Sequence, residues 1–188
     1  MWWPDTKANL GRATRIVAAL AAAAMLAGCF QPLYSDGTPI GGRSMRQQLS
    51  SVDVDQISAP NGTPLARLAV EVRNALLFDL NGGSGPSAPT HRLKVNLTTS
   101  TKSVIVDIQT ARPDILNYGI DAVYTLTEIS TGKAVVRGTT FARVSSDIPG
   151  QEQRFARQRG ERDAESRAAK VIAESIRTRL ASYFVAGT

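Results

Sequence analysis

The sequence predicts an α+β fold, a two-layer sandwich in which a mostly antiparallel four-stranded sheet carries two amphipathic helices on one face. Two observations predict it. Four segments alternate apolar and polar residues at a period of two, and two longer segments repeat apolar residues at steps of three and four. Their order is strand, helix, three consecutive strands, helix. Consecutive strands joined by short turns form an antiparallel meander, and two helices can cover only one face of it. The other face is left to solvent or to a partner.

The first alternating segment is Val52 to Ile57. Asn61-Gly62 then marks a turn. Thr63 can cap a helix, and Pro64 suits the first helical position, where a missing N–H costs nothing. Leu65, Leu68, Ala69, Val72, Leu76 and Leu80 fall on one helical stripe, and Asn81-Gly82-Gly83 closes it with glycines suited to a left-handed cap. Residues 82–89 read as a connection.

His91 to Ser103 alternates with Leu93, Val95 and Leu97 on one side and Arg92, Lys94 and Asn96 on the other. Val104 to Ile108 continues the strand past a bulge, and Thr110 to Asn117, with Pro113, reads as a connection. Tyr118 to Ile129 is the third strand, with Ile120, Ala122, Tyr124 and Leu126 on one face. Ser130-Thr131-Gly132-Lys133 is a hairpin turn. Ala134 to Ser145 is the fourth strand, with Val136, Ala142 and Val144 opposed to Arg137, Phe141 and Arg143. Pro149 opens the last helix, whose stripe runs from Phe155 through Ala164, Ala168, Val171, Ile172, Ile176 and Leu180 to Phe184.

The N-terminus has a different character. Lys7, Arg12 and Arg15 precede an uncharged apolar run, Ile16 to Leu26. That run is shorter than the roughly 20 residues a membrane span needs. It reads as a secretory signal. Leu26-Ala27-Gly28-Cys29 resembles the lipobox of bacterial lipoproteins, which implies cleavage before Cys29 and acylation of its thiol. Each buried acyl CH₂ contributes about 0.8 kcal/mol, so two or three chains anchor durably. The expected organisation is a signal peptide over 1–28, a lipidated tether over 29–48 and one domain over 49–188. Phe30 after the cysteine, where aspartate would argue for inner-membrane retention, points to the outer membrane. Processing removes three cations and Asp5, so the formal charge falls from +6 to +4 and a basic excess remains.

Little in the chain suits catalysis. One Cys and one His cannot build a Cys/His zinc site or an internal disulfide. No phosphate loop, GxSxG or HExxH is present, and Gly82-Gly83-Ser84-Gly85 lacks the lysine of a P-loop. No metal, cofactor or catalytic residue is expected. Asp53 and Asp55 share one strand face and read as solvated. The notable surface is the polar sheet face, with Arg92, Lys94, Arg137 and Arg143 beside Phe141, and Lys102, Arg112, Lys133 and Arg157 near its edges. Guanidinium groups beside apolar side chains suit a phosphorylated lipid. The same pattern also suits a solvated face with ordinary solubility charges. A secreted compartment disfavours nucleic acid.

Asn61-Gly62-Thr63-Pro64-Leu65-Ala66-Arg67 followed by Val72-Arg73-Asn74-Ala75-Leu76 resembles the first-helix signature of the LptE family of lipopolysaccharide-assembly lipoproteins. Cys29-Phe30-Gln31-Pro32-Leu33-Tyr34 is similar to the start of that family's mature chain, with Phe30 where a glycine is common, and the segment Arg167 to Leu180 fits its last helix. The resemblance implies a non-enzymatic outer-membrane protein that plugs and helps assemble the LptD β-barrel and binds lipopolysaccharide in transport. It also implies that the family's two lipopolysaccharide-linked basic residues correspond to Arg112, six positions before Tyr118, and Arg157, after Ala156. Arg92 and Lys94 join them as candidates on the sheet face. The alternative is an auxiliary lipoprotein subunit of a lipid-transporting ABC system.

Overall fold

The computed structural model describes residues 44–83, 86, 88–107, 112–147 and 154–187, with backbone alone at 104–107, 112–114, 147 and 154. The expected signal peptide, Cys29 and the tether up to residue 43 lie outside the described residues.

Helix α1, Met45–Ser50, begins within the segment expected to be a tether, 29–48. Ser44 and Gln47 form a reciprocal capping box, the Ser44 hydroxyl accepting from the Gln47 N–H at 3.3 Å and the Gln47 side chain accepting from the Ser44 N–H at 3.2 Å. Met45 and Leu49, four apart, are buried together. Six residues hold too few turns for periodicity to reveal a helix.

Strand β1 spans only Val52–Val54 and pairs parallel with the start of β2, His91–Asp107. Asp55 adds one bond, its N–H donating to Leu93 O at 3.0 Å. Ile57 is buried without joining the ladder, so the alternation through Ile57 reported burial and not pairing.

Helix α2, Pro64–Asn81, follows the expected signals. Thr63 Oγ1 accepts from the Ala66 N–H at 3.2 Å, and Gly82, at φ 71°, donates to Phe78 O at 2.9 Å. Leu68, Ala69, Val72, Leu76 and Leu80 form its buried stripe.

Strands β3, Arg112–Glu128, and β4, Ala134–Asp147, complete the sheet in the order β1-β2-β3-β4, antiparallel after the first pair. The expected connection at Thr110 to Asn117 is in large part strand, because Arg112 to Asn117 pair back to Asp107 through Lys102 of β2. Pro113 lies opposite Ile105, between two register shifts in β2. A bulge is where a strand tolerates a residue with no N–H to donate.

Helix α3, Arg154–Ala186, begins its burial at Ala164 and not at Phe155. Phe155 is 83% exposed, and residues 155–159 are all exposed. Val171, also placed on the stripe, is exposed too. The expected Ala164, Ala168, Ile172, Ile176 and Leu180 are buried, and the further alanines Ala169, Ala173 and Ala181 complete that face. Alanines contribute weakly to hydrophobic periodicity, yet they allow the close approach that the face needs.

The helices occupy one face of the sheet, and Leu93, Val95, Ile120, Ala122, Tyr124, Leu126, Val136 and Ala142 form the strand side of the core. Arg67 on α2 clamps Glu165 on α3 through three hydrogen bonds of 2.9 to 3.0 Å. Glu165 is the buried charged residue of the described core.

Candidate functional site

Every second residue of β2, β3 and β4 points away from the helices, and the registers assemble these residues into rows. Lys94, Thr125 and Arg137 make one row. Asn96, Val123 and Thr139 make the next, then Thr98, Asp121 and Phe141. Ser100, Gly119 and Arg143 follow, and Lys102, Asn117 and Ser145 come last. Among the described residues no helix covers this face. Val123 and Phe141 stand exposed in its middle at 52% and 67%, with cationic rows on either side.

The cations differ in their freedom. Arg92, a candidate, sits opposite Asp53 and is 3.4 Å from Asp55, so its charge is already balanced. Arg143 is held hardest. Its Nη1 donates to Ile120 O and Ala142 O at 3.0 Å each, and its Nη2 donates to Asp121 at 2.7 Å. Its guanidinium also lies 5.4 Å from the Phe141 ring centroid, a cation–π distance. Lys94, Lys102 and Arg137 have no acidic partner among the described residues.

Arg157 is on the exposed first turns of α3, paired with Glu161 at 3.1 Å in an i, i+4 contact that solvent screens. Arg112 opens β3 opposite Asp107, and its side chain lies outside the described residues. Tyr118, the landmark for that position, is packed against the core. Burial, with the Glu165 carboxylate nearby, pushes its phenol up to about 12.

Sequence reasoning missed the residues between the cations. A β-carbon on Gly119 would stand 2.6 Å from Ser100 Oγ and 2.9 Å from Arg143 Cδ. Glycine is therefore what lets the Arg143 stem lie flat across β3. Beside it, Ser100, Lys102, Asn117, Gly119, Arg143 and Ser145 line an open cleft of about 430 Å³. A glycine inside a strand pattern was the one available signal, since it often marks close approach. Among the described residues no group of His, Cys, Asp and Glu could hold a metal, and no helix is long and apolar enough to cross a membrane.

The fold recurs in solved structures. A protein of Caulobacter crescentus CB15 assigned as a lipoprotein superposes with a TM-score of 0.58 at 21% identity, covering 77% of this chain and 97% of its own. The rare lipoprotein B of Shewanella oneidensis gives 0.50 at 14% identity, covering 71% and 96%. No curated protein sequence matches the chain. The model of the LptE family, described as lipopolysaccharide-assembly, matches residues 49–180, which takes in every strand, α2 and most of α3. The chain therefore belongs to the LptE family, whose work is lipopolysaccharide assembly and is not enzymatic.

Proposed function

We propose that the protein is an outer-membrane lipoprotein, held on the periplasmic side by acyl chains on Cys29, that seats within and helps assemble an LptD-type β-barrel and binds lipopolysaccharide in transit. The observation that carries this reading is the family match over residues 49–180. The bare sheet face is consistent with it, being an unpartnered surface with exposed apolar side chains between rows of cations. Arg112 and Arg157 are the primary lipopolysaccharide contacts, with Lys94 and, once its pair with Asp55 opens, Arg92 behind them. Their charges compete for the phosphates that divalent ions otherwise bridge between lipid molecules.

Affinity purification of the acylated chain from detergent-solubilised membranes tests the partner. An outer-membrane barrel should co-purify. Recovery of an inner-membrane ABC transporter in its place would transfer the protein to the other lipoprotein class.

A further inference from the structure

The cleft beside Gly119 has a donor inventory that the family reading does not use. Ser145 Oγ donates to Asn117 Oδ1 at 2.7 Å, which occupies the amide oxygen and leaves the Asn117 NH₂ as the free end. Arg143 places its Nε above Gly119, with Nη1 and Nη2 already committed to Ile120, Ala142 and Asp121. Lys102, exposed and without an acidic partner among the described residues, supplies an ammonium from β2. The Ser100 hydroxyl completes the wall. Asn117 Oδ1 and Asp121 Oδ1 already accept internal bonds, and N–H and O–H donors from β2, β3 and β4 stand beside them.

From this arrangement we infer that the Ser100–Lys102–Asn117–Arg143 cleft is an anion subsite that takes a phosphate group. A tetrahedral phosphate presents oxygens in several directions and so can meet donors from all three strands at once. Lys102 supplies the net charge, because Arg143 is neutralised by Asp121 and acts as a fixed donor. Gly119 is the positioning residue, since any side chain there displaces Ser100 and Arg143 together. The subsite is separate from Arg112 and Arg157, so it stands or falls independently of the proposed lipopolysaccharide contacts.

Amide NMR shifts of the full acylated chain in neutral detergent provide the test. Inorganic phosphate is one probe. Mixed micelles of that detergent with phosphatidic acid are the second, with phosphatidylcholine mixed micelles as the blank. Either phosphate source should shift Ser100, Lys102, Asn117 and Gly119 saturably. Lys102→Ala should weaken that response about tenfold, the scale of one lost charge-assisted contact, and Gly119→Ala should abolish it. Arg46→Ala, an equal loss of charge on α1, should leave it intact. A response to inorganic phosphate identifies the free ion as sufficient, and a response to phosphatidic acid alone identifies a lipid headgroup. The inference is overturned if neither probe shifts these amides, if phosphatidylcholine does so equally, or if Arg46→Ala weakens the response as much as Lys102→Ala. Lys102 is exposed, so its variant remains informative even if Gly119→Ala unfolds.

Discussion

Gly119 and Arg143 face each other across β3 and β4, and the absence of a side chain on the first is what lets the second lie down. An arginine standing off the sheet would keep its charge in water. Here it is folded onto Ile120 O and Asp121 instead. Gly119→Ala should therefore act as overpacking, costing about 1–3 kcal/mol in urea unfolding. Arg143→Ala in the same chain should recover a measurable part of that cost, because the blocking stem is gone. Strict additivity of the two substitutions would show that the contact does not hold in solution.

A second close approach lies on the buried face. A β-carbon on Gly138 would stand 2.5 Å from the Tyr124 hydroxyl and 2.6 Å from its Cζ. Tyr124 packs among the core residues, and the ring has less room to move than an exposed arginine. Gly138→Ala should cost as much as Gly119→Ala or more, again about 1–3 kcal/mol. Loss of the near-ultraviolet tyrosine circular dichroism would locate the damage at this ring.

The Arg67–Glu165 clamp predicts an asymmetry. Glu165 is buried, while the Arg67 side chain is about half exposed at 50%. Removing Arg67 strands a carboxylate away from water; removing Glu165 leaves a guanidinium that solvent can reach. Arg67→Ala should thus be the more damaging, by about 1–3 kcal/mol, below the full range for breaking a wholly buried pair because of that exposure. Replacing both with Met and Leu should restore stability above either single change, as thermal melts would show.

Acid should loosen one corner of the molecule. The His91 ring packs against Tyr183 and Phe184 of α3, with centroids 6.5 and 5.2 Å away, and its Nδ1 lies 2.8 Å from Thr90 Oγ1. Burial lowers its pKa below the ordinary 6.5, partly opposed by Glu128. The unfolded chain then binds the proton more readily, so this contribution is complete above about pH 6.5 and is lost as pH falls through the folded value. The urea midpoint should drop between pH 7.5 and pH 5, and His91→Gln should flatten that part of the drop. An unchanged slope in the variant would assign the acid sensitivity to other groups.

Anchoring and lipid binding should separate. Cys29→Ser should release the protein from the membrane fraction and block incorporation of labelled palmitate. Arg112→Ala/Arg157→Ala should stay in the membrane yet bind lipopolysaccharide about tenfold more weakly at matched ionic strength, by the loss of charge-assisted contacts. Equal affinity for wild type and this double variant would remove both arginines from the site.

The strands and α2 were legible because they bury large apolar residues at regular spacing: Leu93, Val95, Ile120 and Leu126 on alternate positions, Leu68, Val72, Leu76 and Leu80 on a stripe. The start of α3 was not. Phe155 carries the strongest apolar signal there and is exposed, whereas burial begins only at Ala164. The cation list was legible as residue types but not as chemistry. Arg92 and Lys94 look equivalent two positions apart, yet only Arg92 meets an aspartate, Asp55, which follows β1 on the neighbouring segment. Pro113 argued for a loop, and only the register of β2 against β3 shows the bulge that accommodates it.

Sequence alone determined the fold class, the order of the elements and which face of each strand is apolar, because burial of side chains at periods of two and 3.6 is a local property of the chain. It also carried the family, through the segment that opens α2. Tertiary structure decided which cations are already satisfied and where a strand glycine lets an arginine lie flat. It also decided that the donors of Ser100, Lys102 and Asn117 meet in one cleft. Those outcomes depend on the register between strands many residues apart, and register is fixed by the packing of the whole sheet and not by any segment within it.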